Sequence, residues 1–482
     1  MSDPIARNAR RLAGLSLLGF LALAAATFYW GFLRATELAA RPDNLRQILF
    51  DRRIQRGRIL DRHGRVLAET RFDAQGLPQR IYLVPAAAPV VGFQTWRYGA
   101  GALDRATYGA GGAEAAYDLA LRGDLGLSPR QLVASRVLHR PQAGHDVVLS
   151  LDAALQTFAA GQLGGREGAV VVVDVETGAV RALASNPTFD AAALDEQADL
   201  ANDPARPLLN RATQGLFPPG SAWKTVTLAA ALEEGITTPD AVVDDGDAVE
   251  YFEGFPVRCN NNPPGQTTFD ITHAYGWSCN VTFARLGTEL GAERYRRFAK
   301  AFGLGDAPPF ALPVAESRLS TDEALPLPEL ASAAFGQGEL LVTPLEMALV
   351  AAAMARDGSL PVPYLLEDVP SVRWSRLRDE RGTWRRAVSA GTARTMREIM
   401  TTSVRDGWAR TAAQRVGVSV AGKTGTAQVG NGAPHSWFIG FAPADQPRYA
   451  VAVVVVHGGE GSAVAAPIGG RVLEQAVVAD GH

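Results

Sequence analysis

Ser221 and Lys224, in the stretch "LFPPGSAWKTVTLAAAL", stand three residues apart at the expected start of a helix. A serine hydroxyl is a weak nucleophile, and a neutral amine beside it would activate it by taking its proton. Spacing of i to i+3 on a helix puts both side chains on one face, within reach of each other. Serine is also favoured at a helix N-terminus, where first-turn N–H groups point outward and can stabilise an anion. Lysine is scarce in this chain. Lys224, Lys300 and Lys423 are the only three, and the other 44 of the 47 basic residues are arginine. Arginine keeps its charge inside a protein, whereas a desolvated lysine can surrender it. S-x-x-K alone also fits an ordinary cap beside a solvated lysine, so the decision rests on two motifs downstream. Ser278-Cys279-Asn280 precedes an apolar helix, and Lys423-Thr424-Gly425-Thr426 opens a run of strands.

A chain of 482 residues has room for about two to four domains. Its 47% hydrophobic and 20% charged content is that of a folded, core-forming protein. A net charge of −3 gives no support to nucleic-acid binding. From Leu12 to Leu33 run 22 residues without a charge, bounded by Arg11 and Arg34. That length matches the hydrocarbon thickness of a bilayer, and Phe28, Tyr29, Trp30 and Phe32 suit its interfacial belt. A cleaved signal would have a shorter apolar core, so an uncleaved anchor is expected. The Arg7, Arg10, Arg11 triplet favours a cytoplasmic N-terminus and an extracytoplasmic remainder.

After the anchor, "RRIQRGRILDRHGRVLAET" reads as short strands around an Arg62–Arg65 turn. Two "YGAG" copies between Tyr98 and Gly112 complete no phosphate-loop motif and read as loops flanking a helix over "AEAAYDLALRG". A boundary falls near "HRPQAGHD". The expected division is a tail at 1–11, an anchor at 12–33, an N-terminal module at 34–145 and a main domain at 146–482. In the main domain, "GAVVVVDVETGAVRALAS" forms a hairpin whose valine run implies a strand buried on both faces. Helical patterns follow at Ala222–Glu234, Val281–Leu290, Ala292–Ala301 and Pro344–Arg356, and the chain ends in three strands with short links, an antiparallel meander. Strands first, helices in the middle and strands last is an α+β pattern, because the two strand groups can close one sheet against the helices. "SVRWSRLRDERGTWRR" mixes arginine and tryptophan as nucleic-acid binders do, but its Asp379–Gly382 turn and alternation favour an exposed hairpin.

The three motifs, in this order and 57 then 145 residues apart, resemble the active-site motifs of the penicillin-binding proteins and serine β-lactamases. "RGRILDRHGRVLA", "GQGELLVTPLEMA", "AGKTGTAQV" and "HSWFIGFAPA" extend the resemblance over most of the chain from Arg56 onward. It is nearest the small class B, penicillin-binding protein A-like members, and the N-terminal module leaves no room for a glycosyltransferase domain. The family's fold, an antiparallel sheet flanked by helices behind a single anchor and a small pedestal, is therefore expected.

The resemblance implies a peptidoglycan D,D-transpeptidase that needs no cofactor or metal, takes stem peptides from a lipid-linked precursor, and is acylated by β-lactam antibiotics. A D,D-carboxypeptidase or β-lactamase with the same acyl-enzyme, and a non-catalytic scaffold, are the alternatives. It implies that Ser221 attacks, Lys224 accepts the proton, Ser278 relays it, and Asn280 and Lys423 complete the catalytic set. Thr424, Gly425 and Thr426 would face substrate, Gly425 by letting it lie close to the strand. The backbone N–H groups of Ser221 and Thr426 would form the oxyanion hole. A polytopic glycosyltransferase of the shape, elongation, division and sporulation family is the implied partner. Trp408 stands where the family commonly has a small-residue triplet, which alters the rim of the cleft. Cys279 is either a small buried residue or the partner of Cys259, 20 positions upstream; such a bond would contribute roughly 3 kcal/mol in an oxidising compartment. Seven scattered histidines with no H-E-x-x-H argue against a zinc enzyme. Lys300 is expected at the surface, and His435 as structural or at the cleft rim.

Overall fold

The computed structural model describes residues 4–34, 37–38, 54–74, 76, 78–94, 109–125, 143–194, 200–259, 261–322, 324–372, 381–414 and 416–480. The first "YGAG" copy, the first half of "HRPQAGHD" and part of the Asp379–Gly382 turn fall outside them. Helix α1 (Pro4–Phe28) continues through a π-helical stretch, Tyr29–Leu33. Residues Arg7–Leu33 make one helical run long and apolar enough to cross a membrane, with none of it buried by the rest of the chain. Arg34 closes its end by donating to the Tyr29 hydroxyl at 3.1 Å and to Glu37.

In the N-terminal module, β1 (Ile59–Leu60) and β2 (Val66–Phe72) pair antiparallel across the Arg62–Arg65 turn, as their alternation predicts. β3 (Pro78–Tyr82) continues the sheet beyond β2, while β4 (Val147–Leu149) joins its other side parallel to β1. The outermost strand, Leu366–Asp368, comes from more than 200 residues downstream and pairs with β4. Strands on both sides of residue 145 therefore share one sheet. Fully buried Glu114 is held by Arg56 at 2.5 Å and Arg80 at 2.6 Å, and Arg56 also reaches Asp118. Burial alone would raise the Glu114 carboxyl, but the guanidiniums of Arg80 and Arg56 outweigh it and hold it below the ordinary value. The helix expected over "AEAAYDLALRG" is two short segments broken at Tyr117.

Helix α2 (Ala153–Leu163) leads into the main sheet, formed by β5 (Gly168–Asp174), β6 (Val180–Asn186), β7 (Ala421–Ala427), β8 (His435–Ala442) and β9 (Tyr449–Val455). The spatial order is β7-β8-β9-β5-β6, antiparallel throughout, so the two strand groups close one sheet as expected. Both faces of β5 are covered. Val171 and Val173 join a core with helices α3 (Lys224–Glu233) and α7 (Pro344–Ala355); Val170 and Val172 join a second core with α2 and α9 (Ala465–Ala479). Between α3 and α7 come α4 (Ile271–Trp277), α5 (Asn280–Ala301) and α6 (Leu327–Ala334). Helix α5 is the expected pair of helices merged, with the break at Gly291, where φ is 75°. Helix α8 (Ala390–Arg405) precedes β7.

One expectation needs correction. The chain does not end in strands, because α9 follows β9. Its glycines and proline hide it from helix propensity, yet they serve packing: a Cβ on Gly469 would lie 2.2 Å from the Phe438 ring, and one on Gly470 1.8 Å from Ala412 O. The expected hairpin of the arginine–tryptophan segment falls on residues 373–380, which lie outside the described residues. The segment's strand Thr383–Arg386 pairs with Ser359–Pro361, and Arg385 bonds Asp306 at 2.6 Å while stacking on Trp384.

Two packing features bear directly on stability. A turn at Gly220–Trp223 enters α3 and lies against β7; a Cβ on Gly425 would sit 2.6 Å from Pro219 O and 3.0 Å from Ala222 N. At the start of α7, Thr343 Oγ1 accepts from the Glu346 N–H at 3.2 Å, and burial raises the Glu346 carboxyl to about 8. The unfolded chain loses that proton near pH 4.5 and the folded chain keeps it to about 8, so stability falls as pH rises through this window. Glu346→Gln is expected to remove that slope, roughly 1 kcal/mol per pH unit, in urea unfolding followed from pH 5 to 8; parallel pH curves for variant and wild type would refute a buried neutral carboxyl. Gly425→Ala forces the turn off the strand and is expected to cost roughly 1–3 kcal/mol, whereas a change under about 0.5 kcal/mol would mean that the contact yields.

Candidate active site

Ser221 lies inside the 3-10 turn Gly220–Trp223, one turn ahead of α3, so it is not the helix cap its sequence suggests. Gly220 reverses the chain at φ 54°, and fully buried Trp223 pins the turn through its indole N–H to Tyr295 Oη at 3.0 Å. Lys224 opens α3 and is completely buried. Ser278 ends α4 in the left-handed region, at φ 67° and ψ 40°, a conformation that costs a non-glycine residue about 1 kcal/mol. This bend turns its hydroxyl back toward Lys224, and Asn280 starts α5 one residue beyond Cys279.

The motifs meet at Ser278 Oγ, which is 3.1 Å from Lys224 Nζ and 3.1 Å from Lys423 Nζ. Lys224 Nζ also donates to Ser278 O at 2.6 Å and to Asn280 Oδ1 at 2.7 Å. Lys423 donates to Thr424 O at 3.0 Å. Among the described residues, neither lysine has a carboxylate as a hydrogen-bond partner. Lys224 sits over the Phe283 ring at 5.2 Å and Lys423 over the Tyr275 ring at 5.5 Å. Burial, and then the neighbouring Lys423 charge, push Lys224 well below the usual lysine value; burial lowers Lys423 to about 7. A neutral Lys224 amine has two N–H donors, and both are taken by carbonyl oxygens. Its lone pair is left to accept a hydroxyl proton.

No hydrogen bond joins Ser221 Oγ to Lys224 Nζ, contrary to the i to i+3 expectation. The oxygens of Ser278 and Asn280 draw the amine toward the second motif instead. On β7 the side chains alternate as a strand requires. Lys423 points into the protein, while Thr424 and Thr426 line the cleft with Ser221, Ser278 and Asn280. Gly425 departs from its expected role, because the space beside it is filled by Pro219 and Ala222 rather than open to substrate. The cleft measures about 880 Å³.

Cys259 and Cys279 are joined, with Cα atoms 4.8 Å apart, fastening the hairpin of residues 249–258 to the second motif. Trp408 is at the rim and donates its indole N–H to Asn261 O at 2.7 Å. His435 opens β8, buried, and accepts from the His457 N–H at 3.1 Å; burial and then His457 lower it to about 4. Lys300 is exposed. The three motifs gave no sign of Phe255, Gln337 or Glu460 in the cleft lining; Phe255 comes from the hairpin of residues 249–258, and Gln337 and Glu460 from loops.

Residues 168–474 match the family model for the penicillin binding protein transpeptidase domain. Peptidoglycan D,D-transpeptidase PbpA of Mycolicibacterium smegmatis is 35% identical over 97% of this chain and 98% of its own. The protein of the same name from Mycobacterium tuberculosis is 34% identical over 92% and 93%. Among solved structures, the imipenem acyl-enzyme complex of penicillin-binding protein A from M. tuberculosis aligns with a TM-score of 0.77 at 32% identity, covering 89% of this chain and 99% of that one. The D,D-transpeptidase domain of an Eggerthella lenta peptidoglycan glycosyltransferase gives 0.76 at 33% identity, with 89% and 99% covered. With its three motifs gathered around one hydroxyl and these relatives matched nearly end to end, the chain belongs to the penicillin-binding protein transpeptidase family.

Proposed function

We propose that this protein is a peptidoglycan D,D-transpeptidase acting through an acyl-enzyme at Ser221. The observation that carries the reading is the Ser278 hydroxyl, 3.1 Å from each of two buried amines. Ser221 Oγ attacks the carbonyl carbon of the penultimate D-alanine, and its proton passes to the neutral Lys224 amine. The tetrahedral oxyanion is held by the backbone N–H groups of Ser221 and Thr426, a contribution of about 3 kcal/mol in comparable sites. As the C–N bond breaks, the proton moves through Ser278 to the leaving D-alanine nitrogen. Lys423, a compact ammonium, keeps the Ser278 oxygen polarised. Asn280 spends its Oδ1 on Lys224, which leaves its amide N–H₂ for a substrate carbonyl. Thr424 and Thr426 receive the substrate carboxylate, and Gly425 seats the strand against the serine turn. An acceptor amine then attacks the ester, giving a cross-link and restoring Ser221.

A β-lactam presents a strained amide to the same serine, so the acyl-enzyme complexes of the M. tuberculosis relative support covalent capture here. Residues 12–33 are proposed to span the cytoplasmic membrane, with 1–11 inside, 34–145 as a pedestal and 146–482 as the extracytoplasmic catalytic domain. Substrate would come from a lipid-linked precursor, and a polytopic glycosyltransferase of the shape, elongation, division and sporulation family is the proposed partner.

Mass spectrometry of penicillin-treated protein is expected to find one adduct on the peptide carrying Ser221 and none in Ser221→Ala. An unlabelled wild type would remove the enzyme reading, and release of D-alanine from stem peptides without cross-linked dimers would make the protein a carboxypeptidase. Lys224→Arg cannot give up its charge and is expected to lower the acylation rate about 10²–10⁴-fold; a loss under about tenfold would transfer the base role elsewhere.

A further inference from the structure

One side chain joins the segments that carry all three motifs and belongs to none of them. Tyr275, in α4, is fully buried. Its hydroxyl shares a hydrogen bond with Thr225 Oγ1 at 2.8 Å, next to Lys224 on α3. Its carbonyl oxygen accepts from the Ser278 N–H at 3.1 Å, at the bend that aims the shared hydroxyl. Its ring lies beneath Lys423, whose Nζ is 5.5 Å from the ring centre. Burial pushes the phenol up, so the ring stays neutral at any working pH.

The reaction needs the two amines to differ. Lys224 must be neutral to take the Ser221 proton while Lys423 keeps its own, yet the hydrogen bonds pull the other way. Lys224 has three oxygens in reach, Ser278 O, Asn280 Oδ1 and Ser278 Oγ. Lys423 has two, Thr424 O and Ser278 Oγ. Oxygen acceptors favour the ammonium form, so oxygens alone would draw the proton to Lys224. Phe283 offers Lys224 a ring as well, at 5.2 Å. Without a ring of its own, Lys423 would be the poorer proton site on both counts. The elements packed on β7 bring no anion to correct this. β8 sets Ile439 opposite Lys423, and the residues that α8 buries are uncharged. The turn Trp408–Ala413 buries only Ala409 and Ala412, and the turn Gly220–Trp223 has no acidic or basic side chain. Among the described residues, Lys224 and Tyr275 are the ionisable groups that face Lys423. A cation is drawn to the negative face of an aromatic ring, most strongly where water is excluded. We infer that Tyr275 is a positioning residue for the proton: its ring face holds the ammonium on Lys423 and so leaves Lys224 free to act as the base. This rests on the acyl-enzyme reading of Ser221 and adds a residue to its machinery.

The test is the pH profile of penicillin G acylation, read as the second-order rate constant from about pH 5 to 9 in the full-length protein. Proton loss from Lys423 sets the alkaline limb, because the rate falls as pH rises through a value that burial has brought to about 7. Weakening the ring's hold lowers that value, so the limb moves to lower pH. Fluorine withdraws electrons from the ring face with little change of shape. Tyr275→Phe and its di- and trifluorinated counterparts at the same position therefore form a graded series. The alkaline limb is expected to shift stepwise, by about one pH unit between the plain and the trifluorinated ring. Tyr275→Leu, the coarser change, is expected to shift it in the same direction; should that variant not fold, the fluorinated series decides alone. A limb that stays in place across the series while the maximal rate falls would make Tyr275 a core residue and overturn the inference. A shift confined to the acid limb would also overturn it, since the ring would then act on Lys224. Absence of labelling in wild type at every pH would fail the Ser221 chemistry, whereas labelling with an unmoved alkaline limb would fail the Tyr275 assignment alone.

Discussion

Two amines are buried around one hydroxyl, with no carboxylate bonded to either among the described residues. In water each would hold a proton at neutral pH; here burial lowers both, and the neighbouring Lys423 charge lowers Lys224 as well. An isolated buried charge is costly enough that the protein must either neutralise it or surround it with oriented oxygens. This site does both. Carbonyl oxygens of Ser278, Asn280 and Thr424 take the N–H donors, and the rings of Phe283 and Tyr275 exclude water from the other sides. The arrangement works only if three distant segments are held together to a fraction of an ångström. Much of the main domain's architecture meets that demand.

The sheet supplies the rigid member. β7 carries Lys423, and its neighbours β8, β9 and β5 are covered on both faces, which leaves the edge little freedom to move. Trp223 fixes the turn that presents Ser221, the left-handed backbone at Ser278 aims the shared hydroxyl, and the Cys259–Cys279 link braces the segment behind it. Glycines at 220 and 425 let turn and strand touch. Between them these devices act on all three motifs, so the spatial agreement of the motifs is a property of the whole domain.

Chemistry was more legible in the sequence than architecture. Lysine rarity singled out Lys224 and Lys423, and the motif spacing gave their companions. The valine run of β5 announced a strand covered on both faces. What failed to show had physical reasons. The i to i+3 rule assumes an α-helix, but Ser221 sits in a tighter turn, and carbonyl groups from another motif redirect Lys224. Helix α9 is rich in glycine, so it forms for the sake of contacts that only the folded sheet provides. Glu460 carries no motif because its place in the cleft comes from a loop pinned to Thr426. The pairing of Leu366–Asp368 with β4 is non-local, and no window of sequence contains both partners.

That borrowed strand has a mechanical consequence. The chain leaves the N-terminal sheet after β4, builds the greater part of the catalytic fold, and comes back to supply the strand that caps β4. Arg62, in the first hairpin, also reaches Asp480 near the other terminus at 2.8 Å. The two modules are stitched rather than strung, so neither can be excised cleanly. A protease nick or an engineered truncation near residue 146 would strip β4 of its β1 neighbour and bare a hydrophobic strand edge, which is an invitation to aggregate.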